Sequence, residues 1–375
     1  MLAAPPRAPA AEPPTVRAAW TLGWLALAVV GLYADGWAHN HLVSDAPVFP
    51  RPGSSRAGPP HFATGLSLWH LPYLLGLVGA ALSTLFRWAR FRIGGQKPPP
   101  QTAYDVAAAL LAVAAWLWGT ASGAARTPGT SFLRLESLPG LVGPPALLQA
   151  GALVWLAWSA AAAGWPRVLG GLLVLSTFTY LTQFLHPYVD PWPSAGFLRT
   201  GLQTYRYGLF YFGEAVGLAS LVLQASLVAG VVVALLRSGP LPPGAFTVLV
   251  GLNGTLVASL REQFAFVAAA CATGLVADLL AARLRRGQSR ELPVLAACVG
   301  FAYAATSFLV VAQLGAVDVL YGTGGGFALR NVAGLGWSAQ MWTGTCLVAG
   351  AAGWLLGWLA SPPSGQDRAS GGRGY

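Results

Sequence analysis

Apolar residues run along this chain in blocks of about twenty, and the charged residues gather in the short segments between them. Blocks can be placed at 18–34, 66–86, 104–123, 145–164, 168–186, 208–236, 244–260, 264–283, 293–313 and 336–360. Each is close to the roughly 20 residues that carry an α-helix across a bilayer. The pattern predicts an all-α, polytopic transmembrane helix bundle of about ten spans. The polar triplet Arg261-Glu262-Gln263 is what divides two arms that would otherwise read as one long helix. Residues 1–17, rich in Pro and Ala, and residues 361–375 read as disordered cytoplasmic tails around a single transmembrane domain, 18–360, whose outer loop is 35–66. The first block also has the length of a signal peptide's apolar core, but Trp37 and its neighbours suit an interfacial belt better than a cleavage site.

Composition sharpens this picture. Of the 375 residues 55% are hydrophobic and 9% charged, with mean hydropathy +0.57, whereas soluble domains carry roughly 25% charged residues. The net charge of +10 is spread over short loops, where it sets orientation, so nucleic acid is excluded as a partner and the lipid bilayer takes its place. An N-in, C-in topology puts 14 of the 22 basic residues on the inner side, including both dense clusters, Arg87 to Lys97 and Arg283 to Arg290. The Arg-, Ala-, Gly- and Pro-heavy text predicts a bacterial or archaeal plasma membrane. Cys271, Cys298 and Cys346 lie inside apolar blocks without CxxC spacing and read as small buried hydrophobes. Spacings such as Gly353-x-x-x-Gly357 read as close helix packing.

Against that bland background, four of the five histidines fall between Tyr33 and His70. In the predicted topology His39, His41 and His61 occupy the first outer loop, His70 opens the second span and His186 closes the fifth, fixed by Pro187 and facing outward. All five converge on the extracytoplasmic face. If the first helix continues far enough, Asp35 and His39 stand four residues apart on one face, able to share a metal or to act as ligand and supporting partner. Nitrogen and oxygen donors without sulfur suit a divalent transition metal, copper or zinc. The expected ligands are Asp35, His39, His41 and His70, with His61 and His186 as outer candidates. The competing reading makes Trp37, His39, Trp69 and His70 interfacial belt residues. Glu214, in the outer half of the sixth block, is expected to face the bundle interior as an intramembrane relay. Asp278 is expected to pair with Arg283 or Arg285.

The stretches Asp35-Gly36-Trp37-Ala38-His39-Asn40-His41, Trp69-His70, Gln183 to Asp190, Leu256 to Leu280 and Gly336 to Trp342 resemble a family of multi-span membrane proteins of GC-rich bacteria. That resemblance covers most of the chain and implies a fold without a function. A second, local likeness is to the C subunit of copper membrane monooxygenases, whose metal motif is Asp-x3-His-x12-His. Asp35 and His39 match its first two positions; the third falls on Pro52, so His61 or His70 would have to substitute. The sequence therefore points to a metal-binding membrane protein, monooxygenase-like or metal-handling. A solute or ion transporter and a structural subunit stay open, as do enzymatic activity and assembly into a homo-oligomer or membrane complex.

Overall fold

A computed structural model describes residues 14–38, 69–126, 143–189, 207–283, 291–316 and 339–361. Among them ten α-helices follow one another: α1 Pro14–Ala38, α2 Leu71–Ile93, α3 Pro100–Arg126, α4 Pro144–Ser159, α5 Trp165–Leu181, α6 Tyr207–Ser238, α7 Ala245–Ser259, α8 Ala265–Arg283, α9 Leu292–Ala316 and α10 Ala339–Ala360. One helix answers to each apolar block. Seven of them, all but α4, α5 and α7, are long and apolar enough to cross a membrane. The other three have 16, 17 and 15 residues, or about 22 to 26 Å of rise, less than a hydrocarbon core of about 30 Å.

Local chemistry sets where the helices start and stop. Proline stands in the first two positions of α2, α4 and α5, where its missing N–H costs nothing and its fixed φ is already helical. This is why α2 begins at Leu71, ahead of Pro72, and not at residue 66 as the apolar block suggests. At its far end the Gln96 N–H bonds to the Phe91 carbonyl at 2.8 Å and the Gly95 N–H to the Arg92 carbonyl at 3.1 Å. Gly95 takes φ +67°, which completes a Schellman stop. Between α7 and α8 the chain turns where the polar triplet predicts, with Glu262 at φ 57°. Asp278 of α8 does something the sequence reading missed. Its carboxylate accepts the backbone N–H groups of Phe246 at 3.1 Å and Thr247 at 2.8 Å, and the Thr247 hydroxyl at 2.6 Å. It caps α7, whose first N–H groups have no partner within their own helix.

α1 packs on α2, α2 on α3 and α3 on α4; α7 packs on α8, α8 on α9, and α9 and α10 on each other and on α6. α5 joins the two groups, touching α1, α4, α6 and α7. It is accordingly the most enclosed helix, with eleven of its 17 residues buried. Gly353 and Gly357 lie against α9, and a Cβ at Gly357 would stand 2.6 Å from the Pro293 Cα. The small-residue spacing is thus a packing device. The outer surface is as apolar as the core, with Leu309, Leu347 and Leu359 each more than 60% exposed, while Ser176, Thr179, Gln224, Asn253 and Thr345 are buried. Lipid accepts that distribution and water does not.

Candidate functional site

Asp35 lies in the last turn of α1, which continues through Ala38, so part of the expected outer loop is helical. His70 occupies the N-cap position of α2, its carbonyl accepting the Leu74 N–H at 3.0 Å. Because α1 and α2 pack side by side, the two residues meet. His70 Nε2 is 3.2 Å from Asp35 Oδ1, and the side chains are 0% and 3% exposed. Trp37 and Trp69 pack their rings 5.8 Å apart one step further along each strand of the hairpin.

Three buried tyrosines, Tyr33, Tyr73 and Tyr180, lie in this part of the bundle. Tyr73, three residues beyond His70 and on the same helix face, and Tyr180 of α5 are both buried and close enough to Asp35 to feel its charge. Tyr33 sets its ring edge-on to Tyr180 at 5.2 Å. Tyr180 and Leu260 also close over Gly36, where a Cβ would be 3.2 Å from one and 2.9 Å from the other. One layer deeper, the Tyr33 hydroxyl donates to the Ser176 carbonyl at 2.9 Å. The hydroxyls of Ser176 and Thr179 donate to Asn253 Oδ1 at 3.1 and 2.9 Å. This network ties α1, α5 and α7 together beneath the pair. A cavity of about 20 Å³ between Leu32, Gln149, Thr177 and Tyr180 has room for about one water.

A carboxylate beside one imidazole nitrogen has two chemical uses. The 3.2 Å approach of Nε2 to Asp35 Oδ1 is an ion-pair contact without hydrogen-bond geometry, so the carboxylate can orient the ring electrostatically and leave Nδ1 as base or ligand. Alternatively both atoms ligate one ion. Two donors at about 2.0–2.1 Å from a tetrahedral centre lie about 3.3 Å apart, close to the separation observed. Either use needs further donors for a metal, and among the described residues no group of three His, Cys, Asp or Glu side chains comes together to hold an ion. His39, His41 and His61 lie outside the described residues, as does the side chain of Glu214 on α6.

His186 departs from its expected place. α5 stops at Leu181, five residues before the apolar block ends, and a 3-10 turn, Gln183–Leu185, carries the chain on. His186 itself is extended, φ −110° and ψ 121°, the conformation that a following proline imposes. It is buried, 2% exposed. Its Nδ1 accepts the Tyr188 N–H at 3.1 Å and its ring meets Tyr188 edge-on at 4.9 Å. Tyr188 in turn stacks on Phe266 and Tyr303 at 4.8 and 5.6 Å. Burial pushes the imidazole pKa down to about 3. His186 therefore belongs to an aromatic stack, and it forms no three-residue ligand group with Asp35 and His70.

Tyr73 and Tyr180 near Asp35, and Asn253 in the network beneath, were not legible as parts of the site. The available signal was the i, i+3 spacing of His70 and Tyr73; nothing in the local text brings α5 or α7 to α1. Comparisons with protein-family models, with curated proteins and with solved structures find no match for this chain.

Proposed function

We propose that this protein binds one divalent transition metal, copper or zinc, at the extracytoplasmic end of its helix bundle, with both termini cytoplasmic. The observation that carries the reading is the Asp35–His70 pair, 3.2 Å apart and buried. Apolar packing does not require a carboxylate and an imidazole there, and a carboxylate in such a place is costly unless paired or coordinated. The ion is bound by Asp35 and His70 together or by His70 with Asp35 orienting it, and His39 and His41, four and six residues after Asp35, complete the set. His61 is an outer candidate. The basic clusters at Arg87 to Lys97 and Arg283 to Arg290 support the orientation.

Elemental analysis of the detergent-purified chain, prepared without chelator and re-supplied with copper or zinc, tests the reading. About one metal per chain is expected, with occupancy lost in His70→Ala and His39→Ala and kept in His61→Ala. Because bound imidazole must be neutral, occupancy falls as pH drops through the histidine range near 6.5. Metal-free protein after both additions defeats the proposal.

A transporter reading keeps one observation in its favour. Gln149, Gln224 and Asn253 are buried inside the bundle, and the chain after α5 runs as buried irregular backbone from His186 to Val189, a feature of helices broken around a substrate. Uptake of a solute or ion into proteoliposomes, abolished by Asn253→Ala with metal content unchanged, would favour it.

A further inference from the structure

The end of α2 opposite the Asp35–His70 pair carries a cluster that the metal site does not use. Arg87, Arg90, Arg92 and Lys97 fall within eleven residues, and the only acid between residues 80 and 125 is Asp105. Asp105 is engaged on three sides, by Arg87 at 3.8 Å, by the Trp155 indole N–H at 3.3 Å and by the Gln101 amide at 3.4 Å. Arg90, Arg92 and Lys97 are exposed, and residues 80–125 carry four basic side chains and one acid, a net charge of +3.

The geometry places these cations at a fixed depth. Arg90 lies 19 residues beyond Leu71, about 29 Å along the helix axis, which is about one hydrocarbon thickness. Each guanidinium is folded back onto an aromatic ring one turn earlier, Arg90 over Phe86 at 4.5 Å and Arg92 over Trp88 at 5.3 Å. Phe86 and Ile93 are 59% and 86% exposed, so apolar and cationic surface alternate over one turn. The Schellman stop at Gly95 holds Lys97 against the same helix end. We infer that this end of α2 binds the phosphodiester headgroups of anionic phospholipid in the adjoining leaflet. Guanidinium forks match phosphate oxygens in pairs, the exposed Phe86 and Ile93 lie among acyl chains, and the net positive charge selects anionic over zwitterionic lipid.

The full chain in nanodiscs containing equal fractions of phosphatidylglycerol and phosphatidylcholine, released and weighed by native mass spectrometry, reads this directly. Wild type is expected to retain phosphatidylglycerol in several-fold preference. The exposed triple substitution R90Q/R92Q/K97Q abolishes that preference and brings the two lipids to about equal retention, since each cation near a surface contributes up to about a five-fold factor. R90K/R92K keeps most of it, and Arg261→Gln, at the opposite end of the bundle, leaves it unchanged. Equal retention of the two lipids by wild type, or an undiminished preference in the triple variant, overturns the inference. So does displacement of the bound lipid by millimolar inorganic phosphate, which would mean that the site takes the free anion.

Discussion

Among the described residues two histidines are buried in this bundle, and their surroundings separate what the predicted topology had grouped. His70 faces a carboxylate from another helix at 3.2 Å; His186 faces its own chain, two residues on, and a stack of aromatic rings. Burial is the same for both, 0% and 2%. The difference lies in the partner. A histidine satisfied by local backbone is a turn-forming residue, whereas one held against a buried acid from a distant element joins the protein's chemistry to its packing.

The largest expected effect comes from breaking the pair. Asp35→Ala removes the carboxylate beside the buried His70 Nε2 and should cost about 2 to 3 kcal/mol, read as a fall in unfolding midpoint in detergent. Asp35→Asn, which keeps the shape and a polar oxygen beside the ring, should cost about 1 kcal/mol. Equal midpoints for the two variants would remove the electrostatic distinction between the two histidine sites.

The same substitution at both histidines sharpens the contrast. An asparagine can accept the N–H two residues on, as Asx turns do, so His186→Asn should lose less than about 1 kcal/mol. At position 70 the shorter amide cannot span to Asp35, and His70→Asn should lose about 2 kcal/mol by removing the imidazole from beside the acid. A reversed order in thermal unfolding would mean that the Tyr188 stack, and not the Asp35 pair, is the more demanding site.

Acid separates them again. His186 binds its proton in the folded state only near pH 3, whereas in the unfolded chain it does so near 6.5. Between those values the unfolded state holds more protons, so stability is lost as pH falls from 6.5 toward 3, by at most about 1.4 kcal/mol per unit. His186→Asn should flatten that slope in midpoints measured across the range. A further effect of modest size is expected far from both histidines. Asp278→Ala uncaps α7 at Phe246 and Thr247 and should cost about 1 kcal/mol, with metal content untouched.

Much of the fold was legible in the chain because lipid imposes one dominant constraint. Every backbone N–H and C=O in a hydrocarbon layer must be satisfied within the segment, so apolar blocks of sufficient length read directly as helices, and ten blocks answer to ten helices. Proline placement and the Arg261-Glu262-Gln263 break are equally local. The meeting of Asp35 with His70 was also within reach, since a single connection returns α2 beside α1 and brings both residues to the same end.

What only the tertiary structure decided are the relations between helices remote in sequence. The role of α5 as the seam, the closure of Tyr180 and Leu260 over Gly36, and the Ser176–Thr179–Asn253 network that Tyr33 joins depend on which apolar face meets which. Apolar faces in lipid are nearly interchangeable, because burying one against another helix gains little over leaving it in acyl chains. The choice rests on small-residue fit and a few hydrogen bonds. The same reason explains Asp278, whose nearest charges in sequence are Arg283 and Arg285 but whose partners are the first amides of α7. It also explains His186, which the prolines placed at a helix end and which the structure places in extended backbone beyond Leu181, against an aromatic stack. The chain by itself specified helices, breaks and the chemistry available at one end of the bundle; packing selected which side chains meet there.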